Sequence, residues 1–302
     1  MRILLFGANG QVGHELRRSL ASLGEVVATT RSGMLEDGTP CETADFDMPQ
    51  SLPALIERIA PDVVVNAAAY TAVDRAESDR DAAFRANAEA PQCIAEACAA
   101  RDALLVHYST DYVFDGTGTR PYRPDDATAP LGVYGESKLA GEQAIQASGA
   151  RHLIFRTAWV YAAHGKNFMR TMLRLAAERD ELRVVADQIG TPTPAALIAD
   201  ATASAISRPF ARSGVWHLTA GGETTWHGFA EAIFEAAHAR GLIARVPRVV
   251  PIATADYPTP AKRPGYSVLD TSGLRSDFGI DLPDWSQGLV RTLGGFESKS
   301  TV

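Results

Sequence analysis

Apolar positions along this chain follow two alternating rhythms, and the alternation predicts a fold. Short continuous apolar or β-rich runs occur at Arg2–Phe6, Glu25–Thr30, Val63–Asn66, residues 104–108 and His152–Thr157. Runs of that length, bounded by turn residues, suit strands buried on both faces of a sheet. Between them lie longer stretches with apolar side chains at helical spacing. Val12, Leu16, Leu20 and Leu23 mark the first, residues 50–60 the second and residues 81–101 the third. A further helix begins near Tyr134. Pro91 interrupts the third stretch and predicts a kink or break there. Strand and helix in this order predict an α/β protein with a Rossmann-like, doubly wound parallel sheet.

The second half predicts helices at 166–178, 195–207, 225–240 and 284–293, with strands at 182–185, 215–218 and Arg248–Ile252. Thr224 or Thr225 is placed to cap the third of these helices. Residues 187–194 read as a turn-rich connection, and the proline-rich stretch 257–264 cannot be regular. The division expected is a dinucleotide-binding domain over 1–156, with a later return at about 178–207. A smaller C-terminal α/β substrate-binding domain covers mainly 157–302. Residues 297–302 read as a polar tail.

Composition narrows the partners. The chain has 302 residues, 46% hydrophobic and 22% charged, as ordinary globular proteins do. Its net charge of −7 argues against a nucleic acid or an anionic membrane as partner. An anionic small molecule stays possible, because helix N-termini bind phosphates without help from net charge. Cys41, Cys93 and Cys98 show no metal-ligand spacing and read as thiols in a reducing compartment. The apolar run at 3–6 is too short for a signal segment or a bilayer span, so the expected location is cytoplasmic.

The chemistry begins at residue 7. Gly7, Gly10 and Gly13 stand directly after a strand and open a helix, in the segment Gly7-Ala8-Asn9-Gly10-Gln11-Val12-Gly13. Gly7 suits a tight turn, Gly10 lets the backbone approach a pyrophosphate and Gly13 lets helix and strand meet. Asn9, Gln11 and Val12 lie in the same cradle. At the end of the second strand there is no acid to pair with an adenosine 2′-hydroxyl. Arg31 with Ser32 stands there instead and suits a 2′-phosphate, which favours NADPH and leaves NADH open. Phe46 is placed to lie against the adenine face with Asp45 at its amino group. Ala67, Ala68 and Ala69 leave room for a flat ligand at a strand's carboxyl end.

A second constellation spans residues 104–138. The strand delivers Ser109, Thr110 and Asp111 at its carboxyl end, and Tyr134 and Lys138, four apart, share a helix face. An ammonium beside a phenol favours phenolate and lowers a pKa that is about 10 in water. Tyr134 is thereby expected to exchange a proton near neutral pH, with Thr110 or Ser109 holding a carbonyl oxygen. Trp159, also at a strand's carboxyl end, suits either a stacked ligand ring or a core position.

Taken together, Gly7-x2-Gly10-x2-Gly13, N-A-A-A-Y-T-A-V-D at 66–74, Y-S-T-D-Y-V-F-D-G at 108–116 and Y-G-E-S-K at 134–138 resemble the extended short-chain dehydrogenase/reductase superfamily. Within it the chain is similar to the dTDP-4-dehydrorhamnose reductases, through R-T-A-W-V-Y at 156–161, D-Q-I-G-T-P-T at 187–193 and Arg263-Pro264 as well. The resemblance implies hydride delivery from NADPH to the 4-keto carbon of dTDP-4-dehydro-L-rhamnose. It implies Tyr134 as proton donor, Lys138 on the nicotinamide ribose and Thr110 on the substrate oxygen. Asp111 and Trp159 match positions that contact the sugar. Some members are dimers bridged by Mg²⁺ on acidic residues. Glu15 matches one of these, but no acid stands at Ala195-Ala196, so no metal ligand is assigned and both Mg²⁺ and a homodimer stay open.

Other readings share this fold, among them a reductase of another 4-ketosugar. A 4,6-dehydratase of this superfamily carries Asp-Glu after the Thr, whereas this chain has Asp111-Tyr112. A nucleotide-sugar 4-epimerase shares the Tyr-x3-Lys pair and stays open. A non-catalytic NADP-binding subunit, resembling the β subunit of methionine adenosyltransferase, is lowered by the intact Thr110, Tyr134 and Lys138.

Overall fold

In the computed structural model, which describes residues 1–208 and 212–297, seven strands form one sheet. Across the sheet they run Gly214–His217, His152–Thr157, Leu104–Thr110, Val63–Asn66, Arg2–Phe6, Glu25–Thr30 and Glu42–Thr43. Each pairing is parallel. Val63–Asn66, Leu104–Thr110 and His152–Thr157 are buried along their whole length. Helices cover both sheet faces, which is why these strands are rich in apolar residues.

Two apolar clusters lie on opposite faces of the sheet. One gathers Ile3, Leu5, Leu16, Leu20, Val63, Val65, Val106 and Phe155. The other gathers Leu4, Phe6, Leu52, Ile56, Val64, Ile94, Leu105 and Ile154. Alternate residues of one strand thus serve different clusters, as the two-residue side-chain period of a strand requires. The chain winds outward from Arg2–Phe6 on one side, then crosses to Val63–Asn66 on the other. That reversal opens a crevice beyond the carboxyl ends of these two strands, and Gly7 and Ala67 border it.

The predicted break at Pro91 does not occur. Helix Arg80–Phe84 runs through a π-helical turn, Arg85–Glu89, into helix Ala90–Arg101. The wider turn lies just before Pro91 and accommodates a residue without an N–H to donate. It also aims Asn87 at the next helix. The Asn87 amide donates to Tyr70 O and Ser137 Oγ at 3.0 Å each and accepts from Tyr70 N at 2.8 Å. Gly141 allows the close approach, since a Cβ there would come within 2.1 Å of Asn87 O.

The expected return at 178–207 divides. Helix Ala195–Ile206 packs on helix Gln11–Leu20 beside the large sheet. Strand Glu181–Val185 instead pairs with Arg248–Ile252 in a separate two-stranded sheet. The strand that does return is Gly214–His217, at the sheet edge. A third apolar cluster, with Tyr161, Met169, Met172, Phe229, Phe234, Leu289 and Leu293, holds the second region together. Helix Trp226–Ala239 begins at a Thr225 cap, as expected, with Thr225 Oγ1 accepting from Gly228 N at 3.0 Å. Of the expected polar tail, residues 298–302 lie outside those described. No helix of the described residues is long and apolar enough to cross a membrane.

Candidate active site

Gly7 has φ +80°, and a Cβ there would lie 2.7 Å from Ala68 N. At Gly13 a Cβ would lie 2.0 Å from Gly7 O. Only glycine permits this turn and this contact between helix and strand. Helix Gln11–Leu20 starts at Gly10 with no side-chain cap, so its first amides face the crevice unpaired by a side chain. Free helix N-terminal amides beside a chain without Cβ atoms fit a pyrophosphate. Ala67, Ala68 and Ala69 form the opposite, small-residue wall and are partly or fully exposed.

The neighbours divide between cradle and scaffold. Asn9 turns toward the 34–36 loop, donating to Met34 O at 3.1 Å and accepting from Glu36 N at 3.2 Å. Gln11 Oε1 accepts from Asn167 Nδ2 at 2.8 Å and so joins the cradle to the second region. Val12 packs against the first apolar cluster. Arg31 is 71% exposed at the end of its strand, 3.7 Å from Asp45 and 3.4 Å from Asp47. Asp45 therefore faces Arg31. Phe46 departs from expectation. It is 7% exposed and meets Phe6 edge-on at 5.7 Å, so most of its ring packs in the second apolar cluster and little of it is left for an adenine.

Thr110, Asp111, Tyr134 and Lys138 come together at the carboxyl end of the Leu104–Thr110 strand. Thr110 Oγ1 donates to Asp111 Oδ1 at 2.9 Å, and Tyr112 N donates to Thr110 Oγ1 at 3.2 Å. The Tyr112 ring stands edge-on to the Tyr134 ring at 5.5 Å. Burial pushes the Asp111 carboxyl up to about 6, against the pull of the Ser267 and Thr110 hydroxyls. Burial pulls the Lys138 ammonium down to about 8, while Glu142 favours its charge. Tyr134 corrects the sequence expectation. Its phenol is raised, not lowered, because desolvation outweighs the hydrogen bond from Thr110, and the charge of Asp111 adds to the rise. Lys138 is engaged elsewhere. Nζ donates instead to Tyr108 O at 2.6 Å and lies 3.3 Å from His107 Nε2.

Trp159 has one face covered. Its ring stacks on Trp226 at 3.6 Å with 5° between planes, and the residue holds φ +47°. A bulky residue in that region is strained, as residues at ligand sites often are. Gly190 makes room, since a Cβ there would lie 2.5 Å from Trp159 Cε2.

Several further residues line the site. Arg263 Nη2 donates to Asp74 Oδ2 at 2.8 Å, and its guanidinium lies 5.9 Å from the Tyr112 ring centre. Its Nη1 is buried without a partner among the described residues. Ser267, Trp226, His107 and Asn66 complete the surroundings. Arg263 and Asn66 stand in the motifs quoted above, whereas Ser267, Trp226 and His107 carry no such signal.

Mg²⁺ does not fit the residues present. Glu15 lies 3.7 Å from Arg18 and 3.6 Å from His164 Nδ1. Asp200, the acid on the neighbouring helix, accepts from Arg18 and Ser19 at 2.9 and 2.6 Å. Among the described residues, His14, Glu15 and His164 are one group of three metal-capable side chains, with donor atoms up to 4.8 Å apart. Two imidazoles and one carboxylate are not the all-oxygen set that Mg²⁺ takes.

Comparison with known proteins agrees with this geometry. The family model described as RmlD substrate binding domain matches residues 1–297. A dTDP-4-dehydrorhamnose reductase of Burkholderia thailandensis is 52% identical, covering 94% of this chain and 95% of the relative. One of Salmonella typhimurium is 47% identical over the whole of both chains. The crystal structure of a dTDP-4-dehydrorhamnose reductase from Clostridium acetobutylicum superposes with a TM-score of 0.89 at 36% identity, covering 98% of this chain and 100% of that one. That of Bacillus anthracis, in complex with NADP, superposes at 0.88 with 33% identity, covering 97% and 99%. With the dinucleotide cradle and the Thr110, Tyr134 and Lys138 cluster in one crevice, the chain belongs to the dTDP-4-dehydrorhamnose reductase family.

Proposed function

We propose that this chain carries out the reaction of its family, the NAD(P)H-dependent reduction of dTDP-4-dehydrorhamnose, with Tyr134 as proton donor. The observation that carries the proposal is the meeting of Thr110, Asp111, Tyr134 and Lys138 at the carboxyl end of a central strand, beside the glycine cradle. When bound, the nicotinamide supplies the hydride. The residues supply position and the proton.

The raised Tyr134 phenol suits reduction. A donor must keep its proton until negative charge develops on the substrate oxygen, and burial holds this one neutral. Thr110 Oγ1, whose single proton goes to Asp111 here, is placed to turn that proton to the same oxygen when substrate binds. Lys138 is assigned to the nicotinamide ribose. Asp111 and Trp159 are assigned to the sugar, with the unpaired Arg263 Nη1 available to a substrate oxygen. Arg31 favours a 2′-phosphate and therefore NADPH, provided that it is drawn away from Asp45 and Asp47. The NADP complex of the Bacillus anthracis relative supports this choice. A reaction between nucleotide sugars and a nicotinamide cofactor suits the cytoplasm.

The test is an assay of the purified chain with NADPH and dTDP-4-dehydro-L-rhamnose made in situ. Loss of nicotinamide absorbance matched by formation of dTDP-rhamnose is expected. Tight NADPH binding with no oxidation would overturn the reductase proposal and favour a non-catalytic role.

A further inference from the structure

Lys138 has neighbours that do not favour its charge. Its Nζ lies 3.3 Å from Nε2 of His107, which is fully buried in the central strand. The other ring nitrogen of His107, Nδ1, lies 3.1 Å from Asn66 Nδ2. Asn66 and His107 stand in register on adjacent parallel strands.

The direction of each hydrogen bond in this chain follows from one end. The Ala68 amide can only donate, and it donates to Asn66 Oδ1 at 3.1 Å. Asn66 therefore presents its NH₂ group to His107. Nδ1 must accept, so the neutral ring carries its proton on Nε2. Burial keeps the ring neutral. Nε2–H then points at Lys138 Nζ. An ammonium has no lone pair, so only the uncharged amine completes the chain. Desolvation of Lys138 acts in the same direction. Among the charged and titratable groups around it, Glu142 on the same helix favours the ammonium. Arg156, from the next strand, holds both Glu142 oxygens at 2.9 and 2.7 Å and reduces that pull. Tyr134 and Asp111 complete the surroundings toward the crevice.

We propose that Asn66 and His107 are positioning residues for Lys138: Asn66 fixes the Nε2–H tautomer of His107, and that N–H favours the uncharged amine and sets the alkaline limit of the reaction. The anchor of the chain, Ala68, lies in the 67–69 wall of the cofactor crevice, so one backbone segment serves both the cofactor and the lysine. The inference rests on the proposed role of Lys138.

Two measurements test it. The first is ¹⁵N NMR of the full, ligand-free chain labelled at histidine, with the His107 signals assigned from a His107→Gln spectrum. The Nε2–H tautomer is expected. A ring protonated on Nδ1, or on both nitrogens, overturns the proposal whether or not the protein turns over. The second is Asn66→Asp. The carboxylate still accepts from Ala68 N but now also accepts from Nδ1–H, which frees Nε2 to accept from the ammonium. The alkaline limb of kcat against pH is expected to rise by about one unit. An added charge alone would do the same without His107, so Asn66→Asp is repeated with His107→Leu. Loss of the shift supports the proposal, and its persistence overturns it. Should the double variant not fold, the tautomer measurement decides. Full turnover by Lys138→Met would instead sink the assigned role of Lys138 while leaving the tautomer result intact.

Discussion

Lys138 Nζ donates to the carbonyl oxygen of Tyr108 at 2.6 Å, which ties the helix of Tyr134 to the strand that carries Thr110 and Asp111. The contact orders the site, yet it holds an ammonium where burial disfavours one. In the folded chain Lys138 loses its proton at about pH 8, against about 10.4 when unfolded. Below pH 8 both states are protonated and the cost of burying the charge is felt in full. Between the two values the unfolded state binds more protons, so stability rises with pH. Relative to Lys138→Met, the wild type should gain about 3 kcal/mol between pH 7.5 and 10.5. Denaturant titrations of both proteins across this range measure it, and a constant difference would mean that Lys138 is well solvated.

Asp111 gives a slope of the opposite sign. Its folded value of about 6 lies above the ordinary carboxyl value of about 3.9. The stability linked to its neutral form is present below pH 3.9 and is lost as pH rises through 6. Asp111→Asn removes that loss. Compared with the variant, the wild type should fall by about 2 kcal/mol between pH 4 and 7. At pH 7 the variant should also turn over more slowly, since an amide oxygen accepts from Thr110 more weakly than a carboxylate does. Thermal unfolding at several pH values, with kcat at pH 7, tests both halves.

Tyr134→Phe removes the proposed proton donor and little else. The variant should lose about 10²- to 10⁴-fold in kcat and bind NADPH within about threefold of the wild type. Stopped-flow reduction and fluorescence titration read these two quantities. Near-normal turnover would eliminate Tyr134 as the donor.

Arg31 is exposed, and its ion pairs with Asp45 and Asp47 are of the kind that contributes about 0–1 kcal/mol. Arg31→Ala should leave Tm almost unchanged and weaken NADPH about tenfold more than NADH. Equal weakening of both cofactors would show that Arg31 does not read the 2′-phosphate.

Gly190→Ala places a methyl group against the Trp159 indole, which is already stacked on Trp226. The ring pair must shift. KM for the sugar nucleotide should rise several-fold while NADPH affinity is kept, because the glycine cradle lies elsewhere. Unchanged KM would remove Trp159 from the sugar site.

Much of this protein was legible in the sequence by itself, and for local reasons. Strands Arg2–Phe6, Glu25–Thr30, Val63–Asn66 and His152–Thr157 carry the same bounds in the sequence and in the fold. Strands covered on both faces are mostly apolar whatever covers them, so such strands announce themselves. The Gly7, Gly10 and Gly13 spacing and the shared helix face of Tyr134 and Lys138 are likewise properties of short segments. The tertiary structure decided what depends on residues far apart in the chain. It brought Asn66 to His107, Arg263 to Asp74 and Trp226 to Trp159, and it joined Gly214–His217 to the sheet rather than Glu181–Val185. It also reversed the expected direction for Tyr134. A neighbouring lysine is visible in a sequence, but the desolvation that outweighs it comes from side chains that only folding places around the phenol.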